Sequence, residues 1–187
     1  MQSIVSKNLF LHSFLQLRYR FALGALIRST KPKLLAIDFD GCLTDDRVLV
    51  DEHGTEFVRV SRKDGLGAGR LRSLGITVVI ISTEENLVVT QRAKKIKVEV
   101  IQGVQNKQTA LEIFAQSRGI KKNLIWAVGN DVNDIGLFKS AGLSLCPSDA
   151  SSEIKAISDV ILPIQGGDGI LNYLAKLLEN KSDPKFP

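Results

Sequence analysis

The sequence predicts an α/β fold in which a doubly wound, Rossmann-like parallel sheet carries an inserted β-hairpin. Continuous apolar runs of strand length alternate with longer segments of helical spacing, which is typical of strands buried on both faces of a parallel sheet. One stretch interrupts this alternation and has the composition of a hairpin. The predicted strands are Lys33–Phe39, Ile76–Ser82, Leu124–Gly129, Gly142–Cys146 and Asp159–Leu162.

The segments between these strands are predicted helices, because their apolar residues recur at helical spacing. They are Gly65–Leu74, Glu85–Lys95, Lys107–Arg118, Asn133–Ser140 and Ser151–Ile157. Gly75, Gly119 and Gly142 stand where glycine C-caps are expected. The interrupting stretch, Arg47–Val60, places Asp-Glu-His-Gly between two β-rich runs. It predicts a hairpin over the carboxyl end of the first strand.

The length of 187 residues fits one globular domain. We expect that domain to span residues 31–180, between an amphipathic leader at 1–30 and a frayed tail at 181–187. The leader has no acidic residue and contains Arg18 and Arg20, which break its apolar run and argue against a membrane span. A helix packed beside the domain is the favoured interpretation, and a transit peptide is the alternative.

The formal net charge of +5 does not indicate a nucleic-acid-binding protein. The excess lies in the leader, and no basic stripe is interleaved with aromatic residues. Cys42 and Cys146 are far apart in the sequence, so they predict buried thiols and no disulfide framework. Two such cysteines are typical of a protein from a reducing cytoplasm.

The first predicted strand ends in Asp38-Phe39-Asp40-Gly41, followed by Cys42-Leu43-Thr44-Asp45. Aspartates two residues apart leave a strand on the same side. A helix N-cap or a turn would explain one of them but not both, since unpaired buried carboxylates are costly. This pair therefore indicates a catalytic or metal-binding site at the strand's end.

Polar residues also follow the later strands. The second strand ends in Ser82, Lys107 closes the segment GVQNK before a helix, and the third strand ends in Gly129-Asn130-Asp131-Val132-Asn133-Asp134. These motifs, in this order after an Asp-x-Asp strand end, resemble the haloacid dehalogenase superfamily. The resemblance covers about residues 31–178 and implies a phosphatase domain of that type.

The resemblance implies a role for each of these residues. Asp38 would be the nucleophile and Asp40 the general acid and base, while Ser82 and Lys107 would bind the phosphate. Mg²⁺ would be held by residues drawn from Asp38, Asp40, Asn130 and Asp131. Asn130 stands where the family usually has aspartate, so either Asn130 or Asp131 is the direct ligand, and Asp134 adds further negative charge.

The chemistry agrees with these residue types. A carboxylate is a competent nucleophile for phosphorus and forms an aspartyl-phosphate. Phosphoryl transfer requires positioning and charge neutralisation, which a lysine and a hard cation with oxygen ligands provide. Asp40 would protonate the leaving oxygen and later activate water.

The chain has no room for an inserted cap domain, so it resembles the capless branch of the superfamily, which includes the 3-deoxy-octulosonate 8-phosphate and acylneuraminate-type phosphatases. Ser82-Thr83-Glu84 replaces the Thr-Gly-Arg of the octulosonate enzymes, which favours a nine-carbon sugar acid phosphate over the eight-carbon alternative. Arg62 and Lys63 are candidates for the substrate carboxylate, and Glu56 for sugar hydroxyls of a substrate bound to a neighbouring subunit.

Two further expectations concern assembly and class. The apolar hairpin, with Val48, Val50, Phe57 and Val60, predicts a homo-oligomer, most simply a tetramer, because a lone hairpin is marginal in water. A non-catalytic assembly module of the kind attached to acylneuraminate cytidylyltransferases is the alternative, and so is a mutase. The complete set of Asp38, Asp40, Ser82 and Lys107 argues against the module, and the absence of a cap against the mutase.

Overall fold

The computed structural model describes residues 31–179; the predicted leader, and the tail from residue 180 onward, lie outside them. Within this range six strands form one parallel sheet: β1 Leu34–Ile37, β4 Thr77–Ile81, β5 Glu99–Ile101, β6 Ile125–Val128, β7 Leu143–Cys146 and β8 Val160–Ile161. Their order in the sheet is β5-β4-β1-β6-β7-β8, which confirms the doubly wound fold. No helix in this part of the chain is long and apolar enough to cross a membrane.

Helices cover both faces of the sheet. They are α1 Arg62–Ser73, α2 Val88–Ile96, α3 Lys107–Gln116, α4 Ile135–Ser140, α5 Ser152–Ile157 and α6 Ile170–Glu179. Leu35 and Ile37 of β1 point to the core beneath α1, α2 and α6. Leu34 and Ala36 point to the opposite core beneath α3 and α4. This alternation explains why β1 is apolar at every position.

Two elements were not predicted from the sequence. Glu99–Ile101 is a three-residue edge strand, too short for its pattern to stand out. The helix Ile170–Glu179 buries Ile170, Leu171, Leu174 and Leu178, a helical spacing that the sequence does display. The helix α1 also begins three residues earlier than predicted, at Arg62, because the Ser61 side chain accepts a hydrogen bond from the Lys63 N–H.

Gly75 and Gly119 end helices with φ of +74° and +61°, as predicted for glycine C-caps. The same prediction for Gly142 is wrong, because this glycine is not among the residues of positive φ. A Cβ added there would lie 2.6 Å from the Asn123 Cα. Glycine is therefore needed at this position for close backbone approach.

The predicted hairpin is present and begins earlier than expected, with β2 at Thr44–Val50 and β3 at Glu56–Val60. It forms a separate antiparallel sheet in which Leu49 pairs with Phe57 and Val48 with Val58. Because side chains alternate along a strand, the two pairs face opposite sides. Leu49 and Phe57 are 72% and 55% exposed, so one side of the hairpin is an apolar surface.

Candidate active site

The candidate site lies where the winding of the sheet reverses. From β1 the chain runs outward through β4 and β5, and then returns to place β6 on the other side of β1. Ile37, the last residue of β1, is level with Ile80 of β4 and Val128 of β6. The carboxyl ends of these three strands therefore meet at a topological switch point, the usual ligand site of such sheets.

Asp38 directly follows β1 and lies in a buried charge cluster with Lys107 and Asp134. The Lys107 Nζ is 2.7 Å from the Asp38 Oδ1 and 2.7 Å from the Asp134 Oδ1. The Asp38 Oδ1 also accepts a hydrogen bond of 2.7 Å from the Phe39 N–H. All three side chains are at most 6% exposed. The nucleophile predicted from the sequence is therefore held by two donors in a buried position.

Two carboxylates share one ammonium group in this cluster, and the charges do not balance. Burial, followed by the charge of Asp134, raises the pKa of Asp38 to about 7 despite the opposing effect of Lys107. Burial lowers the pKa of Lys107, but Asp38 and Asp134 outweigh it, so this pKa is raised above its ordinary value. A further cation beside Asp38 would favour its ionised, nucleophilic form.

Asp40 lies two residues after Asp38, at the partly exposed edge of the site. Its Oδ1 accepts a hydrogen bond of 3.2 Å from the Thr44 hydroxyl. The same Thr44 oxygen accepts the Gly41 N–H at 3.1 Å and the Asp46 N–H at 3.2 Å, which fixes the turn. Burial raises the pKa of Asp40 above its ordinary value. A carboxyl group of raised pKa is suited to donate and accept protons near neutral pH.

The loop after β6 folds around Asp134. The Asp134 Oδ2 accepts hydrogen bonds from the N–H groups of Asn130 at 2.8 Å and Asp131 at 3.4 Å. A Cβ added at Gly129 would lie 2.4 Å from the Asp134 Cβ, so the loop requires glycine there. Asp134 thus joins this loop to Lys107 and, through it, to Asp38.

Asn130 and Asp131 lie in different surroundings. The buried Asn130 side chain lies against the loop that follows β1: a Cβ added at Gly41 would be 1.9 Å from its Nδ2. Its Oδ1 is 4.0 Å from the Cys42 Sγ. Asp131 is exposed, and its carboxylate accepts the Val132 N–H at 2.7 Å. The structure therefore brings Asn130, and not Asp131, to the loop that contains Asp38.

These residues fit a hard divalent cation with few charged ligands. No three His, Cys, Asp or Glu side chains in residues 31–179 are grouped as a metal site. A cation here would therefore depend on the Asp38 carboxylate, the Asn130 amide oxygen, oxygens of Asp40 and water. Mg²⁺ accepts such a set, because it binds through one or two carboxylates and keeps several waters. The excess negative charge around Asp38 favours the same ion.

Ser82 follows β4, the strand adjacent to β1, and is buried. Its hydroxyl accepts the Glu84 N–H at 3.1 Å, which leaves the hydroxyl proton available for a phosphate oxygen. Lys107 is the first residue of α3, whose N-cap Asn106 accepts the Thr109 N–H at 3.0 Å. A helix start is a favourable position for an anion. Both predicted phosphate-binding residues thus lie at the carboxyl edge of the sheet.

Beside Asp40 opens a cleft of about 240 Å³ between the hairpin and the loop after β4. Its lining consists of Asp40, Asp46, Val48, Glu56, Val58, Glu84, Asn86 and Val88. Glu56, predicted to contact a substrate in a neighbouring subunit, therefore lies beside Asp40 of the same chain. Arg62 and Lys63 are exposed at the start of α1 and do not line this cleft.

Sequence reasoning missed three contributors to the site. The Thr44 hydroxyl donates a hydrogen bond to the Asp40 carboxylate. Thr44 lies four residues after Asp40 in the same motif, so the sequence could have indicated this contact. Asp46 and Glu84 line the cleft. Glu84 was noted only as part of the Ser82-Thr83-Glu84 segment, and nothing local marks Asp46. Asp46 adopts a φ of +60°, an uncommon conformation for a residue with a side chain.

The chain is similar to several known proteins. The family model of the haloacid dehalogenase-like hydrolases matches residues 71–174. An N-acylneuraminate cytidylyltransferase of Oncorhynchus mykiss is 32% identical over 137 residues, which are 70% of this chain and 31% of that protein. The chain thus spans about a third of the length of this relative.

Two solved structures share the fold over most of their length. A haloacid dehalogenase family hydrolase from Streptomyces avermitilis is 39% identical with a TM-score of 0.77, covering 79% of this chain and 85% of that one. The 3-deoxy-D-manno-octulosonate 8-phosphate phosphatase from Moraxella catarrhalis, in complex with magnesium, phosphate and the sugar acid, is 29% identical. Its TM-score is 0.78, with coverage of 83% and 90%.

The chain belongs to the haloacid dehalogenase-like hydrolases. Its resemblance to the sugar-acid phosphatase branch of that superfamily is confirmed by the Moraxella enzyme. The matched segment begins after Asp38 and Asp40, so the roles of these two residues remain predictions.

Proposed function

We propose that the chain is a magnesium-dependent phosphomonoesterase that acts on a phosphorylated 2-keto-3-deoxy sugar acid through an aspartyl-phosphate intermediate. The observation that carries this proposal is the buried cluster of Asp38, Lys107 and Asp134 at the switch point of the sheet. In this cluster the Asp38 carboxylate, the proposed nucleophile, lies beside the Lys107 ammonium group. A phosphate bound there would have hydrogen-bond donors from Ser82 after β4 and from Lys107 at the start of α3.

The chain's own residues would carry out the chemistry in two steps. Asp38 attacks the phosphorus while Asp40 gives its proton to the leaving oxygen, which releases the sugar acid and leaves an aspartyl-phosphate. Asp40 then takes a proton from the water that hydrolyses this intermediate. Lys107 and the Ser82 hydroxyl hold the phosphoryl oxygens throughout.

The Mg²⁺ site would be formed by Asp38, Asn130 and Asp40. When bound, the ion supplies charge that lets the carboxylate and the phosphate dianion approach each other. A carboxylate that binds Mg²⁺ is a poor proton donor, so Asp40 would contribute its main-chain oxygen and keep its side chain for proton transfer. The distinct surroundings of Asn130 and Asp131 favour Asn130 as the direct ligand.

A nine-carbon substrate of the acylneuraminate 9-phosphate type is the first choice, and 3-deoxy-D-manno-octulosonate 8-phosphate is the alternative. The Ser82-Thr83-Glu84 segment and the similarity to a cytidylyltransferase of acylneuraminate support the first. The similarity to the Moraxella octulosonate phosphatase supports the second. Arg62 and Lys63 lie outside the cleft, so they would meet the carboxylate of a substrate only beyond its mouth.

The apolar side of the hairpin supports a homo-oligomer, with a tetramer as the expected form. Leu49 and Phe57 are exposed on the side that faces away from the cleft. Burying them against other copies would remove this surface from water and satisfy the free strand edges. The free, buried thiols of Cys42 and Cys146 support a cytoplasmic location.

A non-catalytic assembly module is the second candidate, favoured by the partial match to the cytidylyltransferase. Phosphate release separates the two. The purified chain, with Mg²⁺, would be tested on sugar acid phosphates, glucose 6-phosphate and nucleotides. We expect the sugar acid phosphates to be hydrolysed with a higher kcat/KM than glucose 6-phosphate or nucleotides. Excess chelator should abolish the activity, and added Mg²⁺ should restore it. Absence of release from every substrate would favour the module, and equal turnover of glucose 6-phosphate would contradict the substrate class.

A further inference from the structure

The charged residues that line the cleft beside Asp40 all have the same sign. Its charged lining residues are Asp40, Asp46, Glu56 and Glu84, and no lysine or arginine is among the residues that line it. The remaining lining consists of valines and Asn86. The leaving group of a substrate bound at Asp38 would lie on this side, because Asp40 must reach its oxygen.

Glu84 is the most firmly held of these acids. Its Oε1 accepts hydrogen bonds from the N–H groups of Glu85 at 2.8 Å and Asn86 at 2.7 Å. Its own N–H donates to the Ser82 hydroxyl, so its backbone is tied to a phosphate-binding residue. Glu56 and Asp46, in contrast, are exposed. A carboxylate fixed in advance in this way recognises a ligand at a low entropic cost.

A fixed carboxylate accepts hydrogen bonds and cannot donate them. It therefore favours hydroxyl or ammonium groups on the carbon atoms next to the phosphoester. A carboxylate or second phosphate at that position would be repelled, and more strongly than in water because the cleft is partly enclosed. Asp46 and Glu56 add to this repulsion.

We infer that Glu84 is a specificity-determining residue, which selects substrates with hydroxyl groups beside the phosphoester and rejects those with a negative charge there. This inference rests on the proposed function of the same site. It places the carboxylate of a sugar acid substrate at the far end of the molecule, beyond the cleft, and a polyhydroxylated segment within it.

The test uses two small phosphomonoesters that differ in one group. Glycerol 1-phosphate carries a hydroxymethyl group where 3-phosphoglycerate carries a carboxylate. The ratio of their kcat/KM values would be measured for the wild type, Glu84→Gln and Glu84→Arg. Glutamine keeps the acceptor for the two N–H groups and removes the charge. Glu85→Gln is the matched control, because Glu85 is exposed and does not line the cleft.

We expect the wild type to prefer glycerol 1-phosphate, Glu84→Gln to reduce that preference by about tenfold, and Glu84→Arg to reverse it. Glu85→Gln should leave the ratio unchanged. A ratio that does not change in Glu84→Gln, or one that changes equally in Glu85→Gln, would overturn the inference.

Binding tests the inference even if the proposed function fails. Dissociation constants of the two phosphomonoesters would be measured by calorimetry with Mg²⁺ on Asp38→Asn protein, with and without the Glu84 substitutions. The ratio of the two dissociation constants should follow the same order as the kcat/KM ratio: glycerol 1-phosphate is preferred with Glu84, preferred less with Glu84→Gln, and no longer preferred with Glu84→Arg. A chain that binds with this ordering but releases no phosphate would contradict the phosphatase proposal alone, whereas equal binding of both esters in every variant would contradict the role of Glu84 alone.

Discussion

Replacing Lys107 by methionine removes the ammonium group that lies between Asp38 and Asp134. Methionine keeps the apolar stem and most of the volume, so the change is mainly electrostatic. The Nζ is 2.7 Å from each carboxylate, and the lysine side chain is 1% exposed. Removal of one partner from such a buried ion pair costs about 3–5 kcal/mol of unfolding free energy.

This loss should depend on pH in a defined direction. Without Lys107, the folded-state pKa of Asp38 rises above its wild-type value of about 7. The folded variant then binds a proton that the unfolded chain loses above about pH 4. The stability of the Lys107→Met variant therefore increases as the pH falls. Because Asp38 can take up a proton, we expect the variant to be less stable than the wild type by about 3 kcal/mol at about pH 8, and by less near pH 5.

Urea unfolding in chelator, at both pH values, measures the effect. Lys139→Met is the matched control, because Lys139 is exposed, and it should change stability by no more than about 0.5 kcal/mol. Lys107→Met combined with Asp134→Asn should recover part of the stability but none of the activity. A loss below about 1 kcal/mol, or one that is the same at both pH values, would refute the electrostatic account of this cluster.

Three further predictions concern the metal, a buried acid and the hairpin. Asn130→Asp adds a carboxylate beside Asp38, so calorimetry should show tighter Mg²⁺ binding and the metal-free protein should be less stable. Weaker Mg²⁺ binding would mean that Asn130 has another role. Burial raises the pKa of Asp64, whose Oδ1 accepts the Leu171 N–H, to about 6. Between about pH 4 and pH 6 the folded state keeps a proton on Asp64 that the unfolded chain has lost. The unfolding free energy of the wild type, measured in urea relative to that of Asp64→Asn, should therefore fall by up to about 3 kcal/mol over this range. A difference between the two proteins that stays constant with pH would contradict this. Leu49→Asp with Phe57→Asp should give monomers in light scattering; a wild type that is already a fully active monomer would exclude the proposed assembly.

The central part of the fold and site was predictable because it depends on local pattern. Buried parallel strands show continuous apolar runs, and a doubly wound sheet brings their carboxyl ends together. Asp38, Ser82 and Asn130 each follow such a strand, so their proximity follows from the sequence alone. The hairpin was predictable for a similar reason, since two β-rich runs surround an evident turn.

Features that depend on long-range packing were not predictable. The contact of Lys107 with Asp134 joins residues 27 positions apart, and only the placement of α3 against the loop after β6 decides it. The fixed orientation of Glu84 and the position of Arg62 and Lys63 outside the cleft depend on the turns around them. Helix α6 left a visible pattern, but its contact with Asp64 of α1 required the structure.

The covalent role of Asp38 is the central step of the proposed mechanism. Enzyme mixed with a sugar acid phosphate and Mg²⁺ would be quenched in acid within the first turnover, reduced with borohydride and mapped by peptide mass spectrometry. Reduction converts an aspartyl-phosphate to homoserine, so homoserine should appear at position 38 in the wild type and should be absent from Asp38→Asn. Homoserine at another position and none at position 38, or full turnover by Asp38→Asn, would contradict the proposed mechanism.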